Sequence, residues 1–439
     1  MSHSTQTNPK DEPLRSVHTT NFPQILTQLG ISLVISTYQA GKLIILRADG
    51  NVINTHFRVF PKPMGLAADI GRLAIGTAHQ IWELRNVPAV AHKLEPVGKH
   101  DACYLPRNSH ITGDIDIHDL AWGKQELWFI NTRFSCLCTL DFDHSFVPRW
   151  RPNFVTALTP EDRCHLNGLG MVNAVPKYAT ALGETDTIRG WREKKAHGGV
   201  LMDIETNQVL LRGLSMPHSP RWYNNRLWVL ESGNGSLGTV DLVSGKIETV
   251  AQLPGFIRGL DFWGNLAFVG LSQVRETAVF SGIPLTQRLE ERICGVWVIN
   301  IETGQTVAFL KFEDAVQEIF AVEVLPGICF PEIIDWDEKL IASSYVLPDE
   351  ALADVPQAQK QLTTTTRACS QIQKSTVGVK LLGDNSSVKP KIYNPNADAP
   401  YVATATPMPA DGLTTPPLPK KSGKRKKGKR GFDIKRKET

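Results

Sequence analysis

The chain has 439 residues, 41% hydrophobic and 21% charged, with ten Trp and a formal net charge of +4. That balance excludes an intrinsically disordered or helical-membrane composition, and the length can be filled by one large β-architecture without a second domain. The charge is split, because residues 420–439 hold eleven Lys or Arg against Asp433 and Glu438, a net +9 that leaves −5 for the rest.

Residues 1–21 read as a flexible leader, polar at its start and without the apolar stretch of a secretory signal. Strand patterns begin at Leu33-Val34-Ile35-Ser36-Thr37 and continue through Lys42-Leu43-Ile44-Ile45-Leu46. After Asp49-Gly50-Asn51 they resume at Val52-Ile53-Asn54-Thr55-His56-Phe57. From there one unit recurs. Met64-Gly65-Leu66-Ala67, Ile117-His118-Asp119-Leu120, Asn167-Gly168-Leu169-Gly170, Pro217-His218-Ser219-Pro220, Ile257-Arg258-Gly259-Leu260 and Ile319-Phe320-Ala321-Val322 each resemble the innermost strand of a propeller blade.

Most of these are followed by a turn and a second strand, such as Glu126-Leu127-Trp128-Phe129-Ile130 or Arg226-Leu227-Trp228-Val229-Leu230. Outer hairpins repeat in the same way at Gly199–Leu211, Gly238–Val250 and Val296–Phe309. The first blade lacks an inner strand, and Ile319–Val324 supplies it from the far end, which closes the ring and removes exposed edges.

The expected fold is therefore all-β, a six-bladed β-propeller closed by a late inner strand. Residues 22–348 form it, and 349–439 are a largely disordered Pro-, Thr- and Lys-rich tail that opens on a short helix-like stretch at Glu350–Gln361. The blades exceed the ~40–45 residues of a minimal four-stranded unit. Val175–Gly199 and Gln273–Cys294 read as insertions, the usual places for lids and binding loops.

In a meandering blade the loop before each inner strand and the loop after each second strand open on one face. The residues at those places are polar: Tyr38, His118, Asn131, Arg133, His165, Asn167, His218, Glu231 and Arg258. His118, His165 and His218 occupy equivalent positions on successive blades. Three converging imidazoles suit a divalent transition metal with positions left open for substrate. One of them could equally act as a general acid or base, and all three could be separate channel-wall residues bonded to backbone carbonyls. Arg133 and Arg258 fit a clamp on an anionic group or structural ion pairs, and Glu231 fits a base, a ligand or a loop cap. No phosphate-binding glycine loop, zinc-protease helix, nucleophile elbow or EF-hand loop occurs.

Two functions follow. The first is a metal-dependent enzyme, a lyase, isomerase or hydrolase, acting on a small polar or anionic substrate at the channel mouth. Its catalytic residues are His118, His165, His218 and Glu231, and its substrate contacts are Tyr38, Asn131, Arg133, Asn167 and Arg258. The second is a non-catalytic propeller that binds a peptide, protein or small ligand on the same face. The basic tail could contact nucleic acid or an anionic membrane surface in a salt-sensitive way. Seven Cys without a regular framework read as buried free thiols, as expected of a cytoplasmic protein with no membrane-spanning run.

The motifs Ser36-Thr37-Tyr38-Gln39-Ala40-Gly41-Lys42, Cys164-His165-Leu166-Asn167-Gly168-Leu169, Pro217-His218-Ser219-Pro220-Arg221-Trp222 and Leu230-Glu231-Ser232-Gly233-Asn234-Gly235 resemble a conserved, largely cyanobacterial family of unknown function. The resemblance covers roughly residues 22 to 348 and implies a propeller-like domain without naming an activity. The layout is more distantly similar to the gluconolactonase and regucalcin group of six-bladed propellers. Those hold a divalent metal with Glu, Asn and Asp, where this chain places His. Three-histidine sites of propeller lyases are the nearer chemical parallel, at the level of fold alone.

Overall fold

The computed structural model describes residues 14–274, 281–313, 315–354 and 391–393. Six antiparallel sheets stand as blades around a channel. Blade 1 joins the late strand Ala321–Pro326 to Ile31–Thr37, Lys42–Asp49 and Val52–Val59. Ser36 pairs with Ala321 and Ile31 with Pro326, so the ring closes as the repeats required.

Blade 2 runs Leu66–Ala68, Arg72–Gly76, Gln80–Asn86 and Ala102–Ile111, and blade 3 runs Ile117–Trp122, Leu127–Asn131, Cys136–Thr139 and Val147–Trp150. Blade 4 holds Leu166–Val172, Val175–Ala181, Gly199–Asp203 and Gln208–Leu214, and blade 5 holds Pro217–Tyr223, Arg226–Glu231, Ser236–Asp241 and Lys246–Gln252. Blade 6 holds Phe256–Trp263, Leu266–Ser272, Cys294–Asn300 and Thr306–Phe312.

Each blade is buried on both faces, so alternate residues of one strand serve different cores. In blade 1, Leu33 and Ile35 pack on Phe268 and Val296 of blade 6, whereas Val34 packs on Leu73 and Ile75 of blade 2. The same division recurs between blades 2 and 3, 3 and 4, 4 and 5, and 5 and 6. Burial of each such Leu or Ile contributes about 1.5–3 kcal/mol. Two-sided burial also explains why these strands read as continuous apolar runs rather than as strict alternation. Trp228 and Trp297 fill one such space, and Trp82 and Trp128 edge two others.

Several boundaries differ from expectation. Ser16–His18, read as leader, is a fifth strand on the outer edge of blade 6, where Val17 faces Lys311. Phe22–Leu29 is a helix whose Phe22 and Leu26 are buried in the core shared by blades 1 and 6, and Gly30 ends it in the left-handed conformation. Val175–Ala181 is a regular strand, so the blade 4 insertion begins only at Leu182. The segment after the closing strand adds Pro331–Ile333 in parallel to the last strand of blade 2. Asp349–Leu352 is helical, at the start of the helix-like stretch Glu350–Gln361, whose residues 355–361 lie outside the described ones, and Lys391–Tyr393 forms a short strand within the stretch read as tail. The basic run 420–439 lies outside the described residues, as do 1–13. Cys103, Cys136, Cys138, Cys164 and Cys294 are free and buried, whereas Cys329 is disulfide-bonded and departs from the free-thiol expectation. Among the described residues no helix is long and apolar enough to cross a membrane.

One irregularity recurs and positions the site. The inner strands of blades 3, 4, 5 and 6 slip register against their neighbours, each carrying an extra residue. The bulges fall at His118–Asp119, Asn167, Ser219–Pro220 and Arg258–Gly259. A bulge re-aims the side chains beside it, and here it does so beside the channel. Gly259 makes the blade 6 bulge possible: its φ is +79°, and an added Cβ would stand 2.7 Å from the Val322 nitrogen. Gly259→Ala should therefore cost about 2–4 kcal/mol in strain and overpacking. An unchanged urea midpoint would contradict this account.

Candidate functional site

The three histidines meet at one mouth of the channel. His118 opens the inner strand of blade 3, and its Nδ1 lies 3.0 Å from the Asp116 carbonyl. His218 opens that of blade 5, with Nδ1 2.9 Å from the Met216 carbonyl and 2.9 Å from Ser232 Oγ. In both, the residue two positions earlier has positive φ, +59° at Asp116 and +47° at Met216, and offers its carbonyl to the ring. His165 uses a side chain instead: its Nδ1 is 2.9 Å from Asp162 Oδ1, and Trp191 Nε1 donates to Asp162 Oδ2 at 3.0 Å. Asp162 and His165 also have positive φ, +51° and +52°. Non-glycine residues held this way cost about 1–3 kcal/mol each and gather where geometry matters for function.

Each acceptor fixes the proton on Nδ1, which leaves Nε2 as the lone-pair nitrogen. Among the described residues none of these three Nε2 atoms makes a hydrogen bond. Burial holds His118 and His218 well below the ordinary histidine pKa, and the charge of Arg258 lowers them further. Both are therefore neutral near pH 7. The rings of His118 and His165 meet edge to face at 4.8 Å, and Trp191 covers His165 at 4.4 Å.

Arg258 rises from the blade 6 bulge with its guanidinium 3.5 Å over the Phe320 ring. It makes no ion pair or hydrogen bond among the described residues, and its Nη2 is buried without a partner. Desolvation draws its pKa below the usual value, but an arginine remains protonated. A cation without a charged partner among the described residues of its cavity can accept an anion there.

The cavity has a volume of about 460 Å³ and is lined by Tyr38, His118, Arg133, His165, His218 and Arg258, all anticipated from sequence. The other anticipated residues serve the loops around it. Glu231 Oε1 accepts from the Ser215 amide at 3.1 Å, which makes it a loop cap. Asn131 Oδ1 accepts from the Phe134 amide at 3.0 Å. Asn167 donates to the Pro217 carbonyl and accepts from Thr180 Oγ1, tying two blades together. Arg133 lines the cavity but pairs with Asp114, so it is not a free clamp.

The blade 4 insertion, read from sequence as a place for a lid or binding loop, supplies a wall of the cavity, but its residues Leu182, Ile188, Arg189, Trp191 and Arg192 were not singled out. The sequence reading missed Lys62, which pairs with Asp116 at 2.9 Å, and Arg221, which grips Asp119 with two nitrogens at 3.0 and 3.2 Å. The Arg221 signal was present as a charge in the fifth inner-strand repeat. Among the described residues no group of three His, Cys, Asp or Glu side chains stands close enough to share a metal ion.

A family model described as "Domain of unknown function (DUF4915)" matches residues 20–334, close to the span of the motifs above. No curated protein matches the chain. Among solved structures, a nidogen–laminin complex aligns at 10% identity over 67% of this chain and 98% of its own, with a TM-score of 0.44. A protein of unknown function from Bacteroides caccae aligns at 11% identity over 67% and 98%, also with a TM-score of 0.44. A catalytically inactive virginiamycin B lyase from Staphylococcus aureus with quinupristin aligns at 13% identity over 64% and 91%, with a TM-score of 0.36.

Proposed function

The chain belongs to the DUF4915 family, and we propose that its channel-mouth cavity is an active site for a small polar or anionic substrate. Arg258 receives the anionic group. His165, aligned by Asp162, moves a proton at Nε2 in a lyase, isomerase or hydrolase reaction. The neutral imidazoles of His118 and His218 offer further acceptors on the same side. The observation that carries this reading is a guanidinium without an ion-pair partner among the described residues, sharing a cavity with three rings whose Nε2 atoms are unengaged there. Aspartate behind a histidine both orients the ring and stabilises it once protonated, as general base catalysis requires.

A second reading places a divalent transition metal among His118, His165 and His218. It is favoured by the Nδ1 contacts, since metal-binding histidines commonly donate the other ring N–H to a carbonyl or carboxylate. Against it, the three rings do not converge to ligand spacing and Arg258 puts a positive charge in the same cavity. The residues as arranged do not fit a resident ion, so no chemical step is assigned to one. A non-catalytic module that binds a peptide, protein or small ligand is the remaining alternative.

One experiment separates these readings. Purified protein is incubated with a panel of small organic acids in D₂O, and exchange or elimination is followed by NMR alongside elemental analysis. Turnover that drops about 100-fold or more in His165→Asn supports proton transfer. Equimolar metal lost in His218→Ala supports the second reading. Binding without turnover of any acid leaves the module.

A further inference from the structure

Behind the Tyr38 turn stands a carboxyl group that the proposed mechanism does not use. Glu318 is 6% exposed, and its Oε2 accepts from Thr37 Oγ1 at 3.2 Å and from the Gln39 amide at 3.3 Å. Its Oε1 is buried without a hydrogen-bond partner among the described residues. Thr37 and Gln39 flank Tyr38, which lines the cavity, and Glu318 interacts electrostatically with Tyr38 and with Arg258. The same wall thus holds two buried atoms of opposite character that make no hydrogen bond among the described residues, Arg258 Nη2 and Glu318 Oε1, not bonded to each other.

Building on the anion reading, we propose that Glu318 sets the charge of this wall: it takes a proton from solvent onto Oε1 when an anion seats on Arg258, and releases it when the anion leaves. With Glu318 ionised, part of the Arg258 field is already spent on it. With Glu318 neutral, the whole field serves the ligand, and the bare oxygen becomes a hydroxyl. Burial raises its pKa to about 7, with Arg258 pulling the other way, so both states are accessible near neutrality.

Four neighbouring groups do not imitate this behaviour. Burial, followed by the charge of Glu318 itself, raises Tyr38, and burial raises Cys294 well above its ordinary value, so both keep their protons. His118 and His218 remain neutral through this range. His165, Asp116, Lys62, Arg133 and Asp162 line the same cavity, and Asp119 acts on Arg258 through its charge.

The test measures sulfate and oxalate, whose charges do not change near neutrality, binding to the full chain between pH 6 and pH 8.5. Wild-type affinity is expected to fall about 10-fold across that range, a coupling of ordinary size between two sites. Glu318→Gln should bind at the tight end throughout, and calorimetry in two buffers should show proton uptake only in the wild type. A second readout needs no ligand. A carboxyl whose folded pKa is raised contributes stability below its unfolded pKa and loses it as pH rises through the folded value. Glu318→Gln should therefore gain stability relative to wild type between pH 5 and pH 8. A wild-type slope kept in full by Glu318→Gln, or no relative gain in its stability, overturns the proposal while leaving the anion site standing. Absence of anion binding at pH 6, or binding undiminished in Arg258→Ala, removes the anion site and this proposal with it.

Discussion

Glu332→Ala is expected to cost about 3–5 kcal/mol of stability, because it removes one partner from a buried ionic cluster. Glu332 arrives on the short parallel strand Pro331–Ile333 and enters a pocket of cations between blades 1 and 2. Its oxygens stand 2.8 Å from Arg58, 2.9 Å from His56, 3.7 Å from His100 and 3.9 Å from Arg47. Arg47 is 1% exposed, and it acts through its charge on Asp101 as well.

The cluster also sets a pH window. Burial works to raise Glu332, but His56 and the arginines outweigh it and hold the carboxyl down at about 2. Burial lowers both His56 and His100, the latter to about 4. A group whose folded pKa is depressed stabilises above its unfolded value and loses that contribution as pH falls through the folded one. The imidazole contributions fade below about pH 6.5 and the Glu332 contribution below about pH 4.5. Equilibrium urea unfolding of wild type and Glu332→Ala at pH 7 and pH 4 measures both. A variant as stable as wild type at pH 7 would show that the cluster is held together by packing alone.

Arg258→Met should weaken sulfate binding at pH 6 about 100-fold, or ~2.7 kcal/mol, as expected for losing charge-assisted contacts to one guanidinium. The fold should not suffer. The charge has no ion-pair partner among the described residues, and methionine keeps most of the side-chain volume over Phe320. Native proteins accept such unsatisfied charges where function requires them and gain stability when they are removed. The substitution should also let the pKa values of His118 and His218 rise, since Arg258 is the largest charged influence depressing each of them. NMR titration of the imidazoles reads that shift without any ligand. Sulfate affinity unchanged in a folded Arg258→Met protein would end the anion reading.

The ring and its closure were legible because propeller blades repeat. A unit that recurs six times leaves a signature that does not depend on knowing any one contact, and Ile319–Val324 could be matched to a vacancy hundreds of residues earlier. The meeting of His118, His165, His218 and Arg258 followed from the same logic, since equivalent positions on successive blades share one mouth of the channel. What failed was whatever depends on a single remote partner. Asn167 looks like a channel residue from spacing, yet it bridges to Pro217, and of the three roles open to Glu231 the structure shows the loop cap, on the Ser215 amide. Trp191 lies in an insertion whose path no repeat constrains, so nothing local announces that it covers His165. Ser16–His18 reads as leader because three residues on a sheet edge carry no period.

The composite first blade has a consequence for synthesis. Strands Ile31–Val59 leave the ribosome early, but the segment that covers their inner edge, Ala321–Pro326, emerges only after all five other blades have been made. Throughout translation the nascent chain carries an unpaired β-edge beside apolar residues. A polypeptide ending before Ala321 would keep that edge permanently and be prone to self-association, so the last quarter of the chain decides whether the first sheet is safe in the cell.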